Sequence, residues 1–103
     1  MAVFFSIEDR EGEALEEVFE LDHLPRHFPK DGGLCLRFVK ADDDASFNAA
    51  QAPILVSELE ALSAVALDAK AKAELDRVLK LCKKHGGKRH THLRFYGEAG
   101  SDE

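Results

Sequence analysis

PILVSELEALSAVALDAKAKAELDRVLKLCKKHG, residues Pro53 to Gly86, carries two helical patterns almost without a break, and its reading decides the fold. Apolar residues fall at Leu55, Leu59, Leu62 and Ala66, at intervals of four, three and four, which keeps them on one face of a 3.6-residue period. Pro53 suits a first helical turn, where a missing N–H has no partner to lose. Asp68 is an expected N-cap for the second helix, because its carboxylate can accept from unpaired backbone N–H groups. In that helix Ala71, Leu75, Val78, Leu79 and Cys82 share a face, while Lys70, Lys72, Glu74, Arg77, Lys80 and Lys84 lie off it. Lys83, Lys84 and His85 load the last turn with cations, as the helix dipole favours, and Gly86 offers a left-handed stop. Helices joined by so few residues are expected to be antiparallel neighbours.

Working outward, the chain before this block reads as strands and turns. Ala2 to Ile7 is a β-prone run in which Val3 and Phe5 alternate with Phe4. Leu15 to Leu21 suits either a half-exposed strand or one helical face, and the flanking turns favour the strand. Pro25 and Pro29 limit Asp22 to Pro29 to one helical turn. Lys30-Asp31-Gly32-Gly33 is a turn signal, and Leu34 to Val39 alternates as a strand, with Leu34, Leu36 and Phe38 against Cys35, Arg37 and Val39. Asp42-Asp43-Asp44 closes that strand, and Ala45 to Ala52 reads as a bent approach to the helix. After the helices, Arg89 to Tyr96 forms a last strand with Thr91, Leu93 and Phe95 inward and His90, His92, Arg94 and Tyr96 outward. Residues 98–103 read as a polar, disordered tail. The expectation is a single α+β domain over residues 1–97: an antiparallel sheet of three to four strands, two antiparallel helices on one face, order β-β-β-α-α-β.

If the last strand returns beside Leu34 to Val39, the uncovered face gathers Cys35, Arg37, His90, His92, Arg94 and Tyr96, with Glu20 joining if the second strand forms. This face is the expected binding site. His90-x-His92 places two imidazoles on one side of a strand, but an open zinc site needs three ligands and a closed one four, so no metal is assigned. A thiolate–imidazolium pair between Cys35 and His90 or His92, helped by Arg37, has no third orienting group marked in the chain. Asp42 to Asp44 with Asn48 lacks the glycine and distal glutamate of a calcium loop. Gly86-Gly87-Lys88 follows a helix and precedes a strand, the wrong order for a phosphate loop. No cofactor or catalytic residue is assigned, and the reading leans away from an enzyme.

The 103 residues are 45% hydrophobic and 33% charged, ordinary for a globular chain, with a net charge of −6. That net hides an uneven distribution. Arg77 to Gly97 holds seven basic residues and no acid, whereas the other 82 residues set 20 acids against 7 bases, a net of −13. Such a body would be repelled by phosphate, which argues against nucleic acid. Two cysteines are too few for a disulfide framework and point to a reducing compartment. Met1 to Arg10 lacks the basic start and apolar run of a signal peptide, and no stretch is long enough for a membrane, so a cytoplasmic location is expected.

Phe47-Asn48-x-x-Gln51-x-Pro53-x-Leu55-x-x-Glu58-Leu59-x-x-Leu62, after Cys35-Leu36-Arg37-Phe38-Val39 and an acidic turn, resembles a pattern of small uncharacterised bacterial proteins. The ending Leu93-Arg94-Phe95-Tyr96-Gly97 fits that pattern too. Where the pattern has an aromatic-Gly-Asp-Thr turn, this chain has Asp43-Asp44-Ala45-Ser46. The resemblance implies the strand–helix–helix–strand order and no activity. Within it, Phe47 is expected to plug the helix onto the sheet, and Asn48 and Gln51 to bond turn backbone. The function expected from these residues is a non-enzymatic module that binds a protein partner, or itself as a homodimer, through the open face or an edge strand. An immunity- or antitoxin-like role would suit the acidic body. The alternative is a binder of, or enzyme on, a small anionic ligand, with Arg37 and Arg94 as the clamp and His92 moving a proton.

Overall fold

The computed structural model describes residues 3–40 and 44–97. Its elements are β1 (Val3–Glu8), β2 (Phe19–Leu21), β3 (Asp44–Phe47), α1 (Ala52–Ala61), α2 (Ala69–His85) and β4 (His92–Gly97). Three 3-10 turns, Leu24–His27, Leu36–Phe38 and Leu62–Ala64, punctuate the connections. The strands form one antiparallel sheet in the order β2-β1-β4-β3. The fold is therefore α+β in the order β-β-β-α-α-β, as the sequence implies.

Alternation decides which side of the sheet is covered. Val3, Phe5 and Ile7 of β1, Leu93 and Phe95 of β4, and Ala45 and Phe47 of β3 are buried on one face. The register sets Phe5 and Ala45 on either side of Phe95, and Ile7 and Phe47 on either side of Leu93. The small Ala45 leaves space beside the Phe95 ring, which contacts the rings of Phe5, Phe28 and Phe47. Both helices seal this layer with Leu55, Leu59, Leu75, Val78 and Cys82. Burying each such side chain contributes about 1.5–3 kcal/mol, so this layer is the main source of stability.

The helix ends follow local chemistry, with departures from expectation. Gln51 Oε1 accepts from the Asn48 N–H at 2.9 Å and Asn48 Oδ1 from the Gln51 N–H at 3.1 Å, a reciprocal pair just ahead of α1. The α1 helix stops at Ala61, and Ala66, expected on its buried face, is exposed. Asp68 has N-cap backbone geometry but makes no side-chain cap bond; its carboxylate meets Arg26 at 3.2 Å instead. Gly86 is not a left-handed stop, since its φ is −63°. Its role is close approach: a Cβ there would lie 3.1 Å from the Ala52 Cβ and 2.5 Å from the Cys82 carbonyl oxygen. The end of α2 thus abuts the start of α1, which makes the pair antiparallel.

The third strand is not where alternation put it. Leu34 to Val39 forms a loop and a 3-10 turn, and the strand is Asp44–Phe47, expected as a turn and bent approach. The cause is Glu58 on α1. Its carboxylate accepts from the backbone N–H groups of Leu34 at 2.6 Å, Cys35 at 3.1 Å and Leu36 at 2.9 Å. Those are donors that a strand would commit to its ladder. Gly32 and Gly33 both take φ of +76°, and a Cβ on Gly33 would come within 3.2 Å of the Glu58 carboxylate. Glu74 on α2 repeats the device, accepting from Asp22 at 3.0 Å, His23 at 3.0 Å and Leu24 at 2.7 Å. Glu74, expected off the packed face, therefore points into the fold. Of the remaining expectations, Asp42, Asp43 and the tail 98–103 lie outside the described residues.

A third glutamate ties the loop before β2 to α2. Glu16 meets His85 Nε2 at 2.7 Å and Lys84 Nζ at 3.0 Å. The His85 hydrogen bond foremost, and then Lys84, holds the Glu16 carboxyl below its ordinary value of 4.5. A carboxyl lowered in the folded state contributes stability that is full above its unfolded value and lost as pH falls through the folded one. Acid titration followed by circular dichroism should show stability falling below pH 4.5, with a shallower fall in Glu16→Gln. Identical acid profiles for the two proteins would remove Glu16 from the account.

Candidate functional site

The face of the sheet turned away from the helices is built by the other half of each alternation. Register places Glu20, Phe4, Tyr96 and Asp44 in one row across the four strands. The next row holds Ser6, Arg94 and Ser46, and Glu8 pairs with His92 beyond it. Phe4 and Tyr96 stack with centroids 5.5 Å apart and planes 22° from parallel. The Arg94 guanidinium lies 4.4 Å from the centroid of the Tyr96 ring.

Arg94 is held at both ends. Its Nη2 and Nε donate to Asp44 at 2.7 and 3.0 Å, and Nη1 donates to Glu8 at 3.1 Å. The Glu8 carboxylate also accepts from the Ser6 hydroxyl at 3.1 Å. The hydrogen bonds to Asp44, and less so to Glu8, push the Arg94 pKa up. The cation is permanent, and a bidentate pair of this kind fixes the plane of the guanidinium. The result is a patch in which arginine covers tyrosine and tyrosine covers phenylalanine.

Of the residues expected here, His92, Arg94 and Tyr96 stand on this face, and Glu20 joins them through β2. Three do not. Cys35 is 1% exposed and belongs to the core. Burial first, and then the Glu58 charge, pushes its thiol pKa up, the opposite of an activated nucleophile. Burial likewise pushes the Cys82 thiol up to about 12. Arg37 sits on the exposed 3-10 turn, its guanidinium 4.7 Å from the Phe38 ring centroid. His90 precedes β4 with a φ of 62°, so the strand alternation that would have joined it to His92 does not reach it.

Among the described residues, no group of three or more His, Cys, Asp or Glu side chains is placed to hold a metal ion. Among them too, no helix is long and apolar enough to cross a membrane. Among the described residues the main concavities measure 210 to 500 Å³, and none of these is lined by Phe4, His92, Arg94 or Tyr96. Sequence reading missed Phe4, Glu8 and Asp44 as members of this face. Strand alternation against Phe5 was signal enough for Phe4 and Glu8. Asp44 had none, because its strand was not recognised. Compared with protein-family models, curated proteins and solved structures, the chain finds no match.

Proposed function

We propose that this protein is a non-enzymatic interaction module that binds a protein partner, or a second copy of itself, through the open sheet face. The observation that carries the reading is the Phe4–Tyr96–Arg94 stack, locked by Glu8 and Asp44. Tyrosine, phenylalanine and arginine are the side chains enriched where proteins meet, and pre-ordered ones lose little entropy on binding. None of the concavities described above is lined by Phe4, His92, Arg94 or Tyr96, which suits a protein surface better than a small molecule. An anionic ligand clamped by Arg37, His92 and Arg94 is the weaker reading, because all three Arg94 nitrogens already donate to two carboxylates that neutralise its charge and Arg37 stands on another element. Two buried, unbonded thiols fit the reducing cytoplasm as its setting.

A photo-crosslinking amino acid in place of Tyr96 tests the proposal in the producing cells. A discrete adduct is expected from Tyr96 and none from the same group at Lys70, an exposed position on α2. Light scattering across concentration separates self-association from a foreign partner. Equal labelling from both positions, or none from Tyr96, would retire the interface.

A further inference from the structure

The largest of the concavities described above, 500 Å³, lies away from the open face, lined by Pro25, Arg26, Phe28, Pro29, Lys30, Arg37, Val39 and Lys40. Among the described residues, four that line it are cations and none is an acid, in a chain whose net charge is −6. Arg26 has a carboxylate partner in Asp68. Among the described residues, Lys30, Arg37 and Lys40 have none. The floor is apolar and rigid: Phe28 is buried and packs edge-on against Phe95 of the core. Arg37 is steadied by the Phe38 ring. Positive charge is thus gathered over an apolar trough, on a protein whose net charge is negative.

We infer that this groove receives an acidic peptide segment of a protein partner, with an apolar side chain on the Phe28–Val39 floor and carboxylates on Lys30, Arg37 and Lys40. A compact phosphate fits less well. Phosphate sites converge backbone N–H groups on one point, and those at the starts of both flanking turns are already taken by Glu74 and Glu58. What remains is a set of long, separate side chains, matched to charges spread along a chain. The groove is distinct from the Phe4–Tyr96–Arg94 face, and the inference does not depend on that face being an interface.

The probe is a fluorescein-labelled peptide of glutamates flanking two central leucines, followed by anisotropy, with a glutamine-for-glutamate peptide as control. Binding of the acidic peptide alone is expected. It should weaken about tenfold in the double variant Lys30→Glu/Arg37→Glu and with added salt, since two charge contacts reverse sign. The milder pair Lys30→Gln/Arg37→Gln should give a smaller loss, and circular dichroism checks that each variant is folded. Lys70→Glu/Lys88→Glu, the same charge change at exposed positions elsewhere, should leave binding unchanged. No binding to the parent protein would overturn the inference. So would equal loss in the remote pair, or displacement of the peptide by inorganic pyrophosphate at equal charge.

Discussion

Phe95→Ala is expected to cost about 3–5 kcal/mol, the largest loss from any single truncation considered. The ring is 1% exposed and contacts Phe5, Phe28 and Phe47, so its removal opens a cavity between sheet and helices. Its neighbours cannot collapse into that space. Phe5 is tied to β1 by paired strands on both sides, and Ala45 opposite is too small to fill it. For a domain whose total stability is about 5–15 kcal/mol, the variant sits near its unfolding threshold. Urea unfolding followed by circular dichroism measures the change; a loss below about 1 kcal/mol would mean that the core is centred elsewhere. Phe95→Leu should recover much of the difference, because it restores volume without the ring.

Glu58→Ala should cost about 2–4 kcal/mol, more than an exposed glutamate usually does. The carboxylate serves the three consecutive backbone N–H groups that lead into the turn Leu36–Phe38, and among the described residues they have no other acceptor. Removing it leaves half-buried donors unsatisfied and frees the segment that carries Cys35 and Leu36 into the core. Glu58→Gln separates charge from shape, since the amide offers one acceptor oxygen where the carboxylate offers two. Hydrogen exchange gives the local readout: the amides of Leu34, Cys35 and Leu36 should lose protection first. Unchanged protection there, with stability unchanged, would show that the loop is held by packing alone. The parallel variant Glu74→Ala should expose Asp22, His23 and Leu24 in the same way.

These two glutamates also explain where sequence reading stopped. Each falls on the buried stripe of its helix: Glu58 is three residues after Leu55 and four before Leu62, and Glu74 is three after Ala71 and four before Val78. An acid at such a position needs a partner in the fold, and that was a legible signal. What the positions could not reveal was which backbone would supply the donors. Leu34 to Val39 carries strand-prone residues, yet its buried pair, Cys35 and Leu36, is adjacent rather than alternating. Leu34 and Phe38, expected to face inward, are 64% and 49% exposed. Asp44–Phe47 has true alternation, but over four residues that include aspartate, alanine and serine, all weak strand formers. The candidate face divides in the same way: His92, Arg94 and Tyr96 followed from alternation in β4, whereas Cys35 and Arg37 depended on a neighbouring strand that did not form.

The chain alone determined the order of elements, the inward faces of β1 and β4, most of the buried positions of the helices and the charge asymmetry. Each of these depends on side-chain spacing within a few residues, where periodicity is set by backbone geometry itself. Tertiary structure decided the rest: which segment became the third strand, that Arg94 is bound to Glu8 and Asp44, and that Arg37 joins Lys30 and Lys40 at a groove. Those outcomes hinge on acceptors and counter-charges contributed by distant parts of the chain, such as Glu58 for the turn at Leu36 and Glu8 for Arg94. A backbone donor takes the acceptor that the assembled fold brings to it, and no local pattern records which one that is.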